Sequence, residues 1–233
     1  LLAVVSIAVI ALCGDQVRHA FDDVTKVLTN ATASSNNYSG TWNGEKPPEP
    51  TPGLPAEDVD PSSWDLSQQK AVATDLEKNG TSSKYYDKAV AAMDAGTEYA
   101  VTLTNGKELK YRIIGILHDD AADGSGKAGL TFMAWNAACG NSRMNATDTN
   151  VGGWEASELR GKMNSGEIWQ LFPSDFQSKI LPVAKLTNNV GGTSKSAAPT
   201  LTTDRLFLLS YSESADDVSK TYSDWKPTSW LAS

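Results

Sequence analysis

The chain has 233 residues, is 40% hydrophobic with seven Trp, and carries a net charge of −8. An acidic balance argues against nucleic acid or an anionic membrane surface as a partner. The two cysteines, Cys13 and Cys139, form no metal-finger spacing, and each reads as a buried small hydrophobe.

Residues 1–12 read LLAVVSIAVIAL, apolar throughout except for Ser6. Past Cys13 and Gly14 the pattern changes. Val17, Ala20, Phe21, Val24, Val27 and Leu28 follow helical spacing, while Asp15, Arg18, Asp22, Asp23 and Lys26 take the other face. The expectation is one helix over 1–28, about 42 Å long if unbroken, apolar all round in its first half and amphipathic in its second. The first half must be buried on every side, in lipid or among like helices. The second half needs one apolar neighbour only.

This segment resembles the N-terminal helix of the small Flp pilins of Tad-type pili, a branch of the type IV pilins. The resemblance covers residues 1–28 and rests on the apolar run, the Cys13–Gly14 break and the amphipathic turn with Phe21. It implies that the segment sits in the membrane before assembly and in a filament core afterwards. The implied filament interface is Ala3, Val5, Ile7, Val9, Ile10, Leu12, Val17, Phe21 and Val24. Such pilins carry a glutamate at the fifth mature position, where this chain has Val5, and no Glu precedes Asp15. The chain also begins with Leu rather than Met. Either its first residues lie upstream of Leu1 or the departure is real, so the processing site stays open. A signal-peptide core, a plain membrane anchor and a buried helix of the main domain are the competing readings of the same run.

Residues 29–61 are expected to be a linker, Ser/Thr/Asn-rich at first and then holding six of the ten prolines in KPPEPTPGLPAEDVDP. Proline at that density favours an extended, semi-rigid spacer. Asn30 and Asn37 begin glycosylation acceptor patterns in the linker, and Asn79 and Asn145 begin two more beyond it.

Residues 62–233 are expected to form one globular domain with enough chain for a full core. Ser63-Trp64-Asp65 opens a helix, and Ser82 or Ser83 caps a second that ends at Gly96. A hairpin follows, with strands over 98–103 and 109–117 and a type I′ turn signal at Asn105-Gly106. Residues 119–129 are a loop and 130–135 a strand. Helices are expected over 154–163, with Ala156, Leu159 and Met163 on one face, and over 172–180. A last strand spans 205–210. Helices mixed with hairpins give an α+β domain.

TNGKELKYRIIGI, GGWEASELRGKMN, IWQLFPSDFQSKILPVAKLTNN and TTDRLFLLSYSE, in that order, resemble a family of domains of unknown function on secreted and cell-surface proteins of Gram-positive bacteria. The resemblance covers about residues 97–213. Its members continue past a segment like Trp230-Leu231-Ala232-Ser233 to further strands. That implies either more chain or a second subunit completing the sheet by strand addition. The family's layout is similar to C-type-lectin-like folds, which implies a binding role.

The residues themselves offer thin catalytic material. His118 beside Asp119 and Asp120 lacks a nucleophile elbow, and Ser67 to Lys70 matches S-x-x-K with no partner motif. Asp119, Asp120 and Asp123 fail the EF-hand pattern at Ala121 and Leu130. Asp148 and Asn150 read as a solvated loop. Trp154, Leu159 and Met163 read as core and Arg160 as a paired structural arginine. The expected function is therefore a non-enzymatic pilin with no cofactor or metal. It self-associates into an extracellular cell-surface filament that displays its domain, with adhesion as a further role. The alternative is a monomeric, membrane-anchored, lectin-like binding protein.

Overall fold

The computed structural model describes residues 9–12, 55–192 and 197–209. The fold is α+β, with two antiparallel sheets and four α-helices among the described residues.

The described domain begins earlier than the sequence suggests. Residues 55–61, read as linker, lie against the core, and Ala56 is buried. Trp64 donates its indole N–H to the Ala56 carbonyl at 3.1 Å, and Tyr99 donates its hydroxyl to the Pro61 carbonyl at 2.9 Å. Helix α1 (Leu66–Asn79) then starts at a capping box. The Asp65 carboxylate accepts from the Ser67 and Gln68 amides, and the Gln68 side chain accepts from the Asp65 amide. Its buried face carries Gln69, Val72, Ala73 and Leu76. Gln69 bridges the helix to the sheet. Its amide nitrogen donates to the Trp64 carbonyl, and its oxygen accepts from the Tyr111 hydroxyl at 3.0 Å. Helix α2 (Tyr86–Asp94) follows a short turn, with Ala89 and Ala92 buried.

The larger sheet is built from β1 (Val9–Leu12), β2 (Glu98–Thr102), β3 (Glu108–Ile116), β5 (Leu130–Ala134) and β8 (Leu206–Phe207), in the order β2-β3-β5-β1-β8. Hairpin β2–β3 forms as expected, but its turn is not type I′. The Gly106 amide bonds the Leu103 carbonyl and the Leu103 amide bonds the Lys107 carbonyl, with Gly106 at φ 79° and Asn105 outside the left-handed region. That is a type I turn closed by a left-handed glycine, the usual three-residue solution. All five residues of β5 are buried.

The smaller sheet has the order β4-β6-β7, from β4 (Asp120–Ala121), β6 (Val183–Thr187) and β7 (Thr200–Asp204). None of these three strands was expected, and of the strand expected over 205–210 the described residues 205–209 form only the two-residue β8. Helix α3 (Glu158–Asn164) begins four residues later than the periodicity indicates, capped by the Ser157 hydroxyl, which accepts from the Arg160 amide. Trp154 and Ala156 stand in the turn before it. Helix α4 (Ser174–Gln177) is similarly shorter than expected and starts after Pro173.

The core between α1, α2 and the larger sheet is aromatic. Tyr111 meets Phe132 at 5.4 Å and Phe176 at 5.7 Å between ring centres, both edge-on, and Phe176 stacks on Phe172 at 5.4 Å. Gly129 is required here, because a Cβ at this position would stand 2.1 Å from the Ala73 carbonyl oxygen of α1.

Four residues of the expected assembly helix, Val9–Leu12, are therefore a strand. A short apolar run with β-branched Val9 and Ile10 suits either state. Open backbone groups on both neighbouring strands decide for the strand. Ala3, Val5, Ile7, Val17, Phe21, Val24, Asn30 and Asn37, and with them the rest of the expected helix and linker, lie outside the described residues.

Candidate functional site

Two features of the domain concern its possible contacts with other molecules, and both depend on buried polar groups that fix the geometry.

The first is the place of β1. It pairs antiparallel with β5 over four residues, Val9↔Met133, Ile10↔Phe132, Ala11↔Thr131 and Leu12↔Leu130. On its other side Val9 pairs with Phe207 and Ile10 with Leu206. β5 and β8 make no ladder with one another; β1 fills the slot between them. Of the residues expected at a filament interface, the structure thus brings Val9, Ile10 and Leu12 together in this strand.

Walls of the slot are held by a buried ion pair at the join of the two sheets. Lys185 of β6 donates to Asp119 at 2.7 Å, and Thr131 of β5 donates its hydroxyl to the other Asp119 oxygen at 2.6 Å. The Lys185 ammonium also lies 4.1 Å from the centre of the Phe207 ring of β8. The Asp119 carboxylate therefore ties β5 to β6, and the Lys185 ammonium adds β8 through the Phe207 ring. Both Asp119 oxygens are thus engaged, one by Lys185 and one by Thr131. Among the described residues no cluster of three or more His, Cys, Asp or Glu side chains is placed to hold a metal ion.

A second buried carboxylate organises the turn before α3. Asp204 of β7 accepts the Trp154 indole N–H at 2.9 Å, the Arg160 Nε–H at 2.6 Å and the Thr202 hydroxyl at 2.6 Å. Arg160 donates further to the Thr203 and Glu155 carbonyls. The expected structural role of Arg160 and core role of Trp154, Leu159 and Met163 are both seen, since all three apolar side chains are buried. Sequence reasoning missed Asp204, the acceptor that explains why Trp154 and Arg160 are spaced six residues apart. A lone Asp at a strand end gives no signal of its own.

The second feature is a shallow cleft lined by Asn164, Ser165, Trp169, Gln177, Ser178 and Arg205, together with Ser174. Arg205 is exposed, and its guanidinium carbon lies 5.6 Å from the Trp169 ring centre. Most other polar groups here serve the fold. Asn164 donates to the Leu206 carbonyl and accepts from the Arg205 amide, while Gln177 donates to the Trp169 and Phe172 carbonyls. What the cleft offers a ligand is one planar cation beside one aromatic face, rimmed by hydroxyls. Elsewhere on the surface, Leu186 and Leu201 face solvent as a cross-strand pair of β6 and β7, each more than 60% exposed. Ser67 of the S-x-x-K match is exposed on the first turn of α1.

Residues 117–231 match a family described as a domain of unknown function, DUF6273. The match takes in the smaller sheet, α3, α4 and the two slot walls β5 and β8, and it excludes β1. No curated protein and no solved structure matches the chain.

Proposed function

We propose that the chain is a structural subunit of an extracellular pilus-like filament, assembling through its apolar N-terminal segment and displaying the α+β domain on the filament surface. The observation that carries this reading is the position of β1. Residues from the N-terminal apolar run are taken up by a protein sheet, between two strands that belong to the region matching DUF6273. A segment made to bury itself in protein suits a subunit that polymerises better than one that only needs a lipid anchor.

In the helical form of this reading, residues 1–28 pack as a bundle along the filament axis after a membrane-held stage, and Val9–Leu12 leave the sheet. The strand and helix states use the same residues and exclude each other. The displayed domain then acts as the adhesive part, with Trp169 and Arg205 offering a stacking face and a cation to a hydroxyl-rich or anionic ligand. The domain's buried carboxylates act as structural anchors, and the reading is non-catalytic.

The test is Val9→Asp in the full-length chain, followed by sedimentation and circular dichroism. A charge placed in an apolar interface without a partner costs several kcal/mol. The variant is expected to stay in the low-mass fraction with the helices of the domain still present in its spectrum, although the sheet around Val9 is weakened. Pelleting equal to the unaltered protein would overturn the reading. The alternative of an anchored, monomeric binding protein predicts no pelleting for either form.

A further inference from the structure

β1 comes from outside the span that matches DUF6273, as do β2 and β3, yet it lies between the two strands of the larger sheet, β5 and β8, that this span supplies. Residues 13–54 lie between β1 and Pro55, where the described residues resume. These 42 residues reach at most about 140 Å when fully extended. A compact body of about 170 residues is roughly 40 Å across. The connection is therefore long enough to carry Val9–Leu12 to the same slot on a neighbouring copy.

The chemistry of the slot is indifferent to which chain supplies the strand. Two rows of backbone N–H and C=O groups, on β5 and on β8, stand open whenever β1 is absent. With β1 in place β5 and β8 are buried along their whole lengths, and an empty slot would expose those groups without a strand partner. The occupant must be an extended apolar strand that pairs antiparallel on both sides. Every copy of this chain carries one such strand with the register already fitted, Val9 to Met133 and to Phe207.

We propose that the slot between β5 and β8 accepts Val9–Leu12 from a second copy of this chain, so that each copy donates its strand to one neighbour and accepts one from another. Donor strand and acceptor slot are different surfaces, so the contact is head-to-tail and extends into open chains wherever two copies do not exchange strands reciprocally. A copy's own β1 competes at an effective concentration on the order of millimolar. Self-insertion therefore holds the dilute monomer, and exchange takes over where copies are crowded. The proposal rests on the reading of self-assembly through the N-terminal segment and replaces helix packing by strand donation as its means.

Cysteine pairs in the full-length chain test it, in a Cys13→Ser, Cys139→Ala background. One chain carries Val9→Cys and a second, mass-tagged chain carries Met133→Cys; the two are mixed at high concentration, oxidised and run without reductant. The expected result is a tagged–untagged disulfide dimer at least tenfold above a control in which Val151→Cys replaces Met133→Cys. A second register pair, Ile10→Cys with Leu206→Cys, guards against poor folding of the Met133 variant. A same-chain Val9→Cys, Met133→Cys protein that cross-links only internally, with no mixed dimer from either pair, would overturn the proposal. If unaltered protein then still forms filaments by electron microscopy, self-assembly stands and only strand donation fails. If it forms none, both fail.

Discussion

Lys185 and Asp119 form a buried ion pair 2.7 Å long, with side chains 8% and 3% exposed, at the corner where the two sheets meet. Its weight lies in what removal of one partner would leave. Lys185→Ala strands the Asp119 carboxylate without its cation, with only the Thr131 hydroxyl remaining from the contacts described above. Loss of one member of such a pair costs about 3–5 kcal/mol, whereas an apolar replacement of both members is often near neutral. Urea unfolding is expected to show that large loss for Lys185→Ala and a clearly smaller one for Lys185→Met with Asp119→Leu. Equal losses would mean that the ion pair carries no special share of the stability.

Asp204 gathers three donors, and the consequences separate by partner. Trp154→Phe removes one hydrogen bond to a charged group, a loss of about 1.5–3 kcal/mol, and adds the cost of the smaller ring at a buried position. Asp204→Ala leaves the Trp154 N–H and the Arg160 guanidinium without their shared acceptor and is expected to cost more than Trp154→Phe. In the Asp204→Ala background the Trp154→Phe change should then cost only the ring-size part. A double-mutant cycle measures that coupling.

The loops 150–153 and 188–192 are pressed together at glycines. A Cβ at Gly191, which has φ 64°, would lie 1.8 Å from the Asn150 carbonyl oxygen. The Asn150 side chain also bridges the loops, accepting from the Gly192 amide at 3.0 Å. Gly191→Ala combines a left-handed backbone with a clash against main chain, and should cost about 1–3 kcal/mol or more in thermal unfolding. Gly124→Ala, with φ 76° and no atom in the way, carries the backbone penalty alone and is the matched control.

Burial pushes the Tyr111 phenol up to about 12 and the Cys139 thiol up to about 11, and it raises Tyr99 as well. Each group is held in its neutral form by the fold. Stability from these groups is therefore complete below the pKa values of the unfolded chain, near 10 for tyrosine. It is lost as pH rises through the folded values. Unfolding midpoints should be level to about pH 9 and fall between pH 10 and 12, and Tyr111→Phe should flatten that fall. Alkylation of Cys139 at pH 8 is expected to be at least tenfold slower in the folded chain than in urea.

Much of the domain's first half was legible because its signals are local. Asp65 and Gln68 write a capping box in the sequence, and the apolar alternation around Asn105-Gly106 writes a hairpin. The turn type was misjudged because Gly106 alone takes the left-handed conformation. The second half was harder to read. In β6, Ala184 and Lys185 invert the usual alternation, since the polar Lys185 points inward to Asp119 while Leu186 points outward. β7 places Thr202 and Asp204 inside and Leu201 outside for the same reason. A sheet whose buried face is polar hides from a search for apolar periodicity. Arg160 was readable as structural, but its partner lies 44 residues away. Val9–Leu12 could not be assigned from its own residues, because four apolar residues carry no period that separates helix from strand.

Electron microscopy of the native material sheared from cells tests the central claim most directly. The account predicts thin filaments with knobs of domain size on their exterior, absent when Val9→Asp is introduced. Dispersed single particles, or monomers recovered only with detergent, would contradict it.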